Sequence, residues 1–265
     1  MLLGIDLGAS TTDFVLMEKH KVLKKKSIET VSLEKLEIAI RALNWPLERV
    51  KSFCVTGGKS AKCKRILLGK PVKIICEINA IGAGGLFCAK KKKAIVVSLG
   101  TGTCIVNASG DQFEHCFGTG VGGGTLLGLS RQLLLLEDLK KVNELAKKGN
   151  LEKIDLLVKD IVGKGIGKLP GNATASNFGR SALAKKTDVA LGIINLVAET
   201  NAVVVSLASE KCEQKEIVLT GKLLSVPVFK QRLLSALRLL GKKAIVPKDY
   251  GVATAIGACI SAQAI

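Results

Sequence analysis

Apolar and polar positions fall into short blocks from the first residues. LLGID (2–6) reads as a strand, LGAST (7–11) as a turn and TDFVLM (12–17) as a second strand, because Thr11, Thr12, Phe14 and Val15 disfavour an immediate helix. From Ser32 the period changes. Leu33, Leu36, Ile40 and Leu43 share one face, with Glu34 in the first turn, which predicts an amphipathic helix. KSFCVTGG (51–58) reads as a short strand closed by a glycine pair. At Lys93 the pattern restarts: KAIVVSLGTGTCIV (93–106) repeats strand, Gly/Thr turn, strand, and EIVLTGK (216–222) repeats the form of FCVTGG. This self-similarity predicts a duplicated architecture. Leu126, Leu133, Leu136, Leu139, Val142 and Leu145 predict one helix over 125–148, stopped at Gly149. A further helix is predicted over 151–162, broken by GKGIGKLPG, and a long apolar one over 188–209. Residues 251–264 are small and apolar, suited to close packing. Strands alternating with helices give an α/β class. The Gly- and Lys-rich stretch 82–93 predicts a boundary between an N-terminal lobe, 1–91, and a C-terminal lobe, 92–265.

Composition adds constraints. The chain has 265 residues, 48% of them hydrophobic, enough for a sizeable core. Aromatic residues make up 3%, which argues against a single-strand or RNA binder that stacks bases. Forty Lys and Arg against 22 Asp and Glu leave a formal charge of +18, mostly Lys spread along the chain. Without a reader motif, this favours small anionic ligands over nucleic acid. The eight cysteines form no CxxC, and several sit in apolar runs, so they read as buried thiols in a reducing compartment. MLLGIDLGAS has no basic leader, and Asp6 interrupts its apolar run. Asn195, Glu199 and Asn201 interrupt the most lipid-like segment, which reads as a buried or interface helix. The expectation is a cytoplasmic protein without a membrane role.

Three motifs are discounted. GGKS (57–60) lacks the leading glycine of a Walker A loop, because position 53 is Phe. Gly118, Gly120 and Gly123 spell GxGxxG, but no apolar strand precedes them. His20 and His115 are the only histidines, with neither HExxH nor GxSxG, so a His-rich metal site and a serine triad are excluded. The two hairpin turns, DLGAST and SLGTGT, remain. Glycine lets backbone N–H groups approach phosphate oxygens, and Ser or Thr hydroxyls add donors at the same place. Asp6, at its strand end, is placed to hold a metal ion directly or through water.

GIDLGAST and VSLGTGT resemble the phosphate-1 and phosphate-2 motifs of the sugar kinase, heat-shock chaperone and actin superfamily. VTGG (55–58), Glu77 within ICEINAIGAGG, GTGVGGGTLLGL (118–129), IDLLVKDI (154–161), TASNFGR (174–180), LTGK (219–222) and AIGA (255–258) narrow the resemblance to type II pantothenate kinases. The resemblance implies a two-lobed, actin-like ATPase fold, ribonuclease H-like and duplicated, with an ATP cleft between the lobes. It also implies a homodimer through the helix near 188–209, and ATP-dependent phosphorylation of pantothenate to 4'-phosphopantothenate in coenzyme A biosynthesis. Carried onto this chain, Asp6 positions magnesium. Gly8, Ala9, Ser10, Thr11 and Thr12, with Gly100, Thr101, Gly102 and Thr103, embrace the ATP phosphates. Gly120, Gly122, Gly123 and Gly124 precede a helix whose N-terminal amides add to the cradle. Glu77 corresponds to the catalytic base, and Gly221 and Lys222 fall where the family lines its adenine pocket. The family's arginine before GVGGG, which meets the substrate carboxylate, has no counterpart here. His115 lies nearest, shorter and with at most two donors. The acceptor therefore stays open between pantothenate, a pantetheine-like relative and another alcohol such as a sugar. A non-kinase ATPase activator of the same superfamily is the remaining alternative.

Overall fold

The computed structural model describes residues 1–167, 169–180 and 183–263. The first sheet is built from β1 (Leu2–Leu7), β2 (Thr11–Glu18), β3 (Lys21–Glu29), β4 (Ser52–Thr56), β5 (Ile66–Leu67) and β6 (Lys70–Ile74), in the order β3-β2-β1-β4-β6-β5. Strand alternation sends Leu3, Ile5 and Leu7 to the outer face, where Leu36 and Ile40 of α1 (Leu36–Arg41) complete a core with Phe14, Leu16, Phe53 and Val55. Gly4, Asp6, Asp13, Val15 and Met17 take the inner face. β3 was not anticipated. Its run of lysines suits an exposed edge strand, where charge discourages pairing with other chains.

After α2 (Glu77–Ala89), the second sheet uses β7 (Lys93–Leu99), β8 (Thr103–Ser109) and β9 (Gln112–Thr119), joined later by β12 and β13. The chain between them forms α3 (Gly123–Leu134), α4 (Leu139–Ala146), the ribbon strands β10 (Leu156–Leu157) and β11 (Thr174–Ser176), the short α5 (Val158–Val162) and α6 (Lys186–Lys211). β12 (Ile217–Thr220), α7 (Pro227–Leu239), β13 (Ala244–Ile245) and α8 (Ala253–Ser261) complete the chain, and the sheet order is β13-β12-β7-β8-β9. Ile95, Val97, Leu99, Ile105 and Leu219 face α3, α4, α6 and α7. Val96, Val106 and Val218 face α2.

The helix predicted over 125–148 is two helices. Leu135 adopts a left-handed conformation, and Asp138 caps α4 by accepting from Lys140 N at 2.8 Å. Over 151–162 a 3-10 turn, a two-residue strand and α5 replace the expected helix. Asp155 there is fully buried and accepts from Phe178 N and from Asn195 of α6.

The two sheets are joined by exchanged helices. α2 follows the first sheet in sequence but packs on the inner face of the second, while α8, at the far end of the chain, packs on Val15, Met17 and Cys54 of the first. Glycines 82, 84 and 85, expected at a lobe boundary, lie inside α2 instead. A Cβ on Gly84 would collide with the Ala253 carbonyl, and one on Gly257 with the Ala80 carbonyl, so the two helices cross nearly backbone to backbone.

Candidate active site

The β1–β2 and β7–β8 turns face each other. Ser10 Oγ lies 3.2 Å from Thr101 Oγ1, so the two hydroxyl-bearing tips share a hydrogen bond across the cleft. Ala9, Ser10 and Thr101 are exposed at these tips, with Thr11 and Gly102 half-buried beside them. Gly8 is needed for the tightness of the first turn, because a Cβ would come within 2.8 Å of Thr11 O.

Thr12 and Thr103 are not free donors. Thr12 is buried on the outer face, where its hydroxyl accepts from Val31 N at 3.2 Å. Thr103 donates to Val121 O at 3.0 Å. The glycine loop also differs from expectation. Gly123 N and Gly124 N donate to Gly100 O and Thr101 O, both at 2.8 Å, and Gly122 N donates to Thr125 Oγ1. These amides brace the phosphate-2 turn. Cβ atoms at Gly122 and Gly123 would crowd Thr101 O and Gly100 O, so glycine serves close approach here, while Gly120 stands in open space. Asn201 of α6 secures the same loop by donating to Val121 O at 3.1 Å.

Asp6 lies within electrostatic reach of two further carboxyl groups, Asp13 and Glu77. Asp6 and Asp13 are cross-strand partners on the inner face. Glu77 opens α2 and acts electrostatically on both Asp6 and Cys104 of β8, which places it between the lobes. Burial, followed by repulsion from Asp13 and Glu77, pushes the Asp6 carboxyl up to about 7, against the pull of Lys222. Glu77 is open to the cleft, yet the surrounding protein withholds enough water to raise its carboxyl above the usual range.

Asp13, which the sequence reading passed over, accepts from Ser27 Oγ at 2.5 Å and forms an ion pair with Lys222. A lone acid between apolar strand residues was its signal. Lys222 therefore reaches the phosphate-1 hairpin. Gly221, at φ +98°, is pressed against Leu99 so closely that a Cβ would collide with its carbonyl. His115 lies in the edge strand β9 opposite Val106, on the side of the sheet that α2 covers, beside a bulge that sets Cys116 out of register. Cys76, expected among buried thiols, is exposed next to Glu77, whereas Cys54, Cys63 and Cys259 are buried.

The TASNFGR segment docks on α6. Thr174 and Asn177 donate to Glu199 at 2.8 and 3.0 Å, and Asn195 links Asp155 to Arg232 of α7. Asn195 and Glu199, two of the polar residues that argued against a membrane span, thus join one network, while Asn201 holds the glycine loop. α6 is long and apolar enough to cross a membrane by length and composition, but Asp188, Asn195 and Asn201 lie buried along it.

Comparison with known proteins bears on this geometry. The sequence profile of the family described as Fumble matches residues 89–260. A type II pantothenate kinase from Bacillus cereus is 32% identical over 275 residues, covering 98% of this chain and 98% of its own length. Among solved structures, the activator of the 2-hydroxyisocaproyl-CoA dehydratase from Clostridium difficile with bound ADPNP superposes with a TM-score of 0.66 at 16% identity, covering 100% of this chain and 97% of its own. A ROK family glucokinase from Streptomyces griseus in complex with glucose and AMPPNP gives 0.63 at 14% identity, covering 99% of each chain. At such identities the two structures establish the fold alone, two-lobed and of the actin-like type.

Proposed function

The chain belongs to the type II pantothenate kinase family, and we propose that it transfers the γ-phosphoryl group of ATP to the primary alcohol of pantothenate, yielding 4'-phosphopantothenate for coenzyme A biosynthesis. The observation that carries this reading is the meeting of the two hydroxyl-bearing turns, with Asp6 in the strand that leads into the first of them and Glu77 within electrostatic reach of Asp6. Ser10, Thr101 and the turn amides bind phosphate oxygens, and the Ser10–Thr101 hydrogen bond gives way to bonds with the triphosphate. Glu77 accepts the proton of the attacking hydroxyl. The alcohol oxygen bonds to the γ-phosphorus, the bond to the β-phosphate oxygen breaks, and ADP leaves. A carboxylate with raised proton affinity suits a base.

Magnesium fits beside Asp6, because a hard oxygen ligand within electrostatic reach of two further carboxylates carries negative charge that a divalent cation offsets. When bound, the ion supplies charge neutralisation to the β- and γ-phosphates. His115 is assigned to the acceptor side, on the sheet face that α2 covers. We place the enzyme in the cytoplasm, without nucleic-acid or membrane partners, as a homodimer along α6, where Val203 and Leu207 are exposed. The lobes are assigned to residues 1–91 and 92–265, with α2 and α8 exchanged between the sheets.

The test is an assay of ADP release with ATP, magnesium and one of pantothenate, pantetheine, N-acetylglucosamine or no acceptor. Pantothenate-dependent release is expected. Glu77→Gln should lower it by roughly 10²- to 10⁴-fold, the usual share of a general base, while ATP affinity holds. Release with another alcohol alone would reassign the acceptor, and undiminished turnover in the variant would remove Glu77 as base.

A further inference from the structure

We propose that Lys222 is a phosphate-binding residue, delivered from the second lobe to the phosphate-1 hairpin of the first, and that it takes no part in lining an adenine pocket. The inference rests on the ATP-dependent kinase reading above.

The mount of Lys222 is rigid. Gly221 is wedged against Leu99 at the end of β7, its N–H donates to Tyr250 O at 2.8 Å, and Ser225 Oγ donates to Lys222 O at 2.7 Å. From that anchor the side chain crosses the cleft to Asp13, whose carboxylate is 8% exposed and is also held by Ser27. Asp13 is the cross-strand partner of Asp6, so the two Cβ atoms lie ~4.5–5.5 Å apart on one face. The ammonium is thereby fixed at the root of the turn that meets Thr101.

Charge makes that position significant. Neither turn nor the glycine loop contains Lys or Arg, in 4–13, 98–104 or 118–125. Their donors are neutral amides and hydroxyls, whereas Asp6 and Asp13 face each other across β1 and β2 and Glu77 acts electrostatically on Asp6. A triphosphate approaching such a site is repelled unless cations stand within it. Among the described residues, Lys222 is the one that forms an ion pair with any of the three carboxylates. An ammonium has three donors, and Asp13 Oδ1 engages one, leaving the others for phosphate oxygens. The side chain also borders a cavity of about 440 Å³, which gives it room to turn; Lys26 and Lys248 there add positive potential, while Lys25 is paired with Asp249. A lysine tied to a buried carboxylate offers no flat apolar surface to a purine ring.

The experiment compares magnesium-ATP, ADP and adenosine binding to the full chain by titration calorimetry, for wild type, Lys222→Met and Lys222→Arg. Lys222→Met should weaken ATP and ADP by roughly 10- to 100-fold, the loss of a charge-assisted hydrogen bond, with adenosine unchanged and Lys222→Arg recovering most of it. If Lys222→Met leaves Asp13 unpaired and lowers the melting temperature, the double variant Asp13→Asn/Lys222→Met removes both charges and must still lose triphosphate affinity. Equal losses for adenosine and ATP would overturn the proposal in favour of an adenine contact. Unchanged ATP affinity would reduce the pair to a tie between lobes. Because no acceptor is present, a protein that binds ATP through Lys222 but fails to phosphorylate pantothenate retains this inference and loses only the substrate reading. A wild-type chain without ATP affinity overturns both.

Discussion

Asp6 is held in a folded environment that works against its charge. Its carboxyl titrates at about 7 in the folded chain, against an ordinary 3.8. Between these values the unfolded chain has released the proton while the folded chain retains it, so stability falls as pH rises to about 7 and the deficit is constant above that. Asp6→Asn removes the deficit. The variant should melt higher than the parent at pH 8, with the advantage vanishing as pH falls toward about 4, while its magnesium-dependent turnover is lost. Melting curves across that range decide it, and an advantage independent of pH would mean that Asp6 is not the titrating group. On the acceptor side, His115→Arg should lower the KM for pantothenate by roughly tenfold through a charge-assisted contact with its carboxylate. No change in KM would place that carboxylate elsewhere. Asp6 stood out in the sequence as an acid at the end of its strand, and Glu77 only through the family resemblance. The Asp13–Lys222 pair was not legible, since its members lie 209 positions apart and only the folded lobes bring them together.

Among the elements, the crossing of α2 and α8 is the most constrained. Gly→Ala in a helix interior ordinarily gains up to ~1 kcal/mol from propensity. At Gly257 the added methyl meets the Ala80 carbonyl, an obstruction that no rotamer relieves. Gly257→Ala should therefore destabilise the protein by about 2 kcal/mol or more, on the scale of overpacking, as read from the urea midpoint. A neutral result would mean that the helices part without cost. The same close approach explains why glycines 82, 84 and 85 read as loop from sequence although they lie inside a helix, the chain passing to the second sheet only at 90–92. Glycine is a poor helix former, and its value here lies in a partner helix near the far end of the chain. The split between α3 and α4 has a comparable origin, because the leucine period runs on through 135–138 while the Asp138 cap starts a new helix. β3 was missed because an edge strand needs little apolar content.

At the scale of the whole molecule, the repeat of hairpin and Thr-Gly strand was visible, and the two sheets follow it. The exchange of helices was not, since each half taken alone carries a helix that packs on the other half's sheet. That exchange bears on how the protein is made. Synthesis delivers β1 to β6 long before α8, so Val15, Met17 and Cys54 leave the ribosome without the helix that buries them. The nascent first lobe thus presents an apolar sheet face until α8 has been synthesised, and the halves cannot mature in turn as separate domains do. Contacts of such long sequence separation slow folding and prolong the time in which a holding factor can engage that face. The first lobe is completed only after the strands of the second have been made.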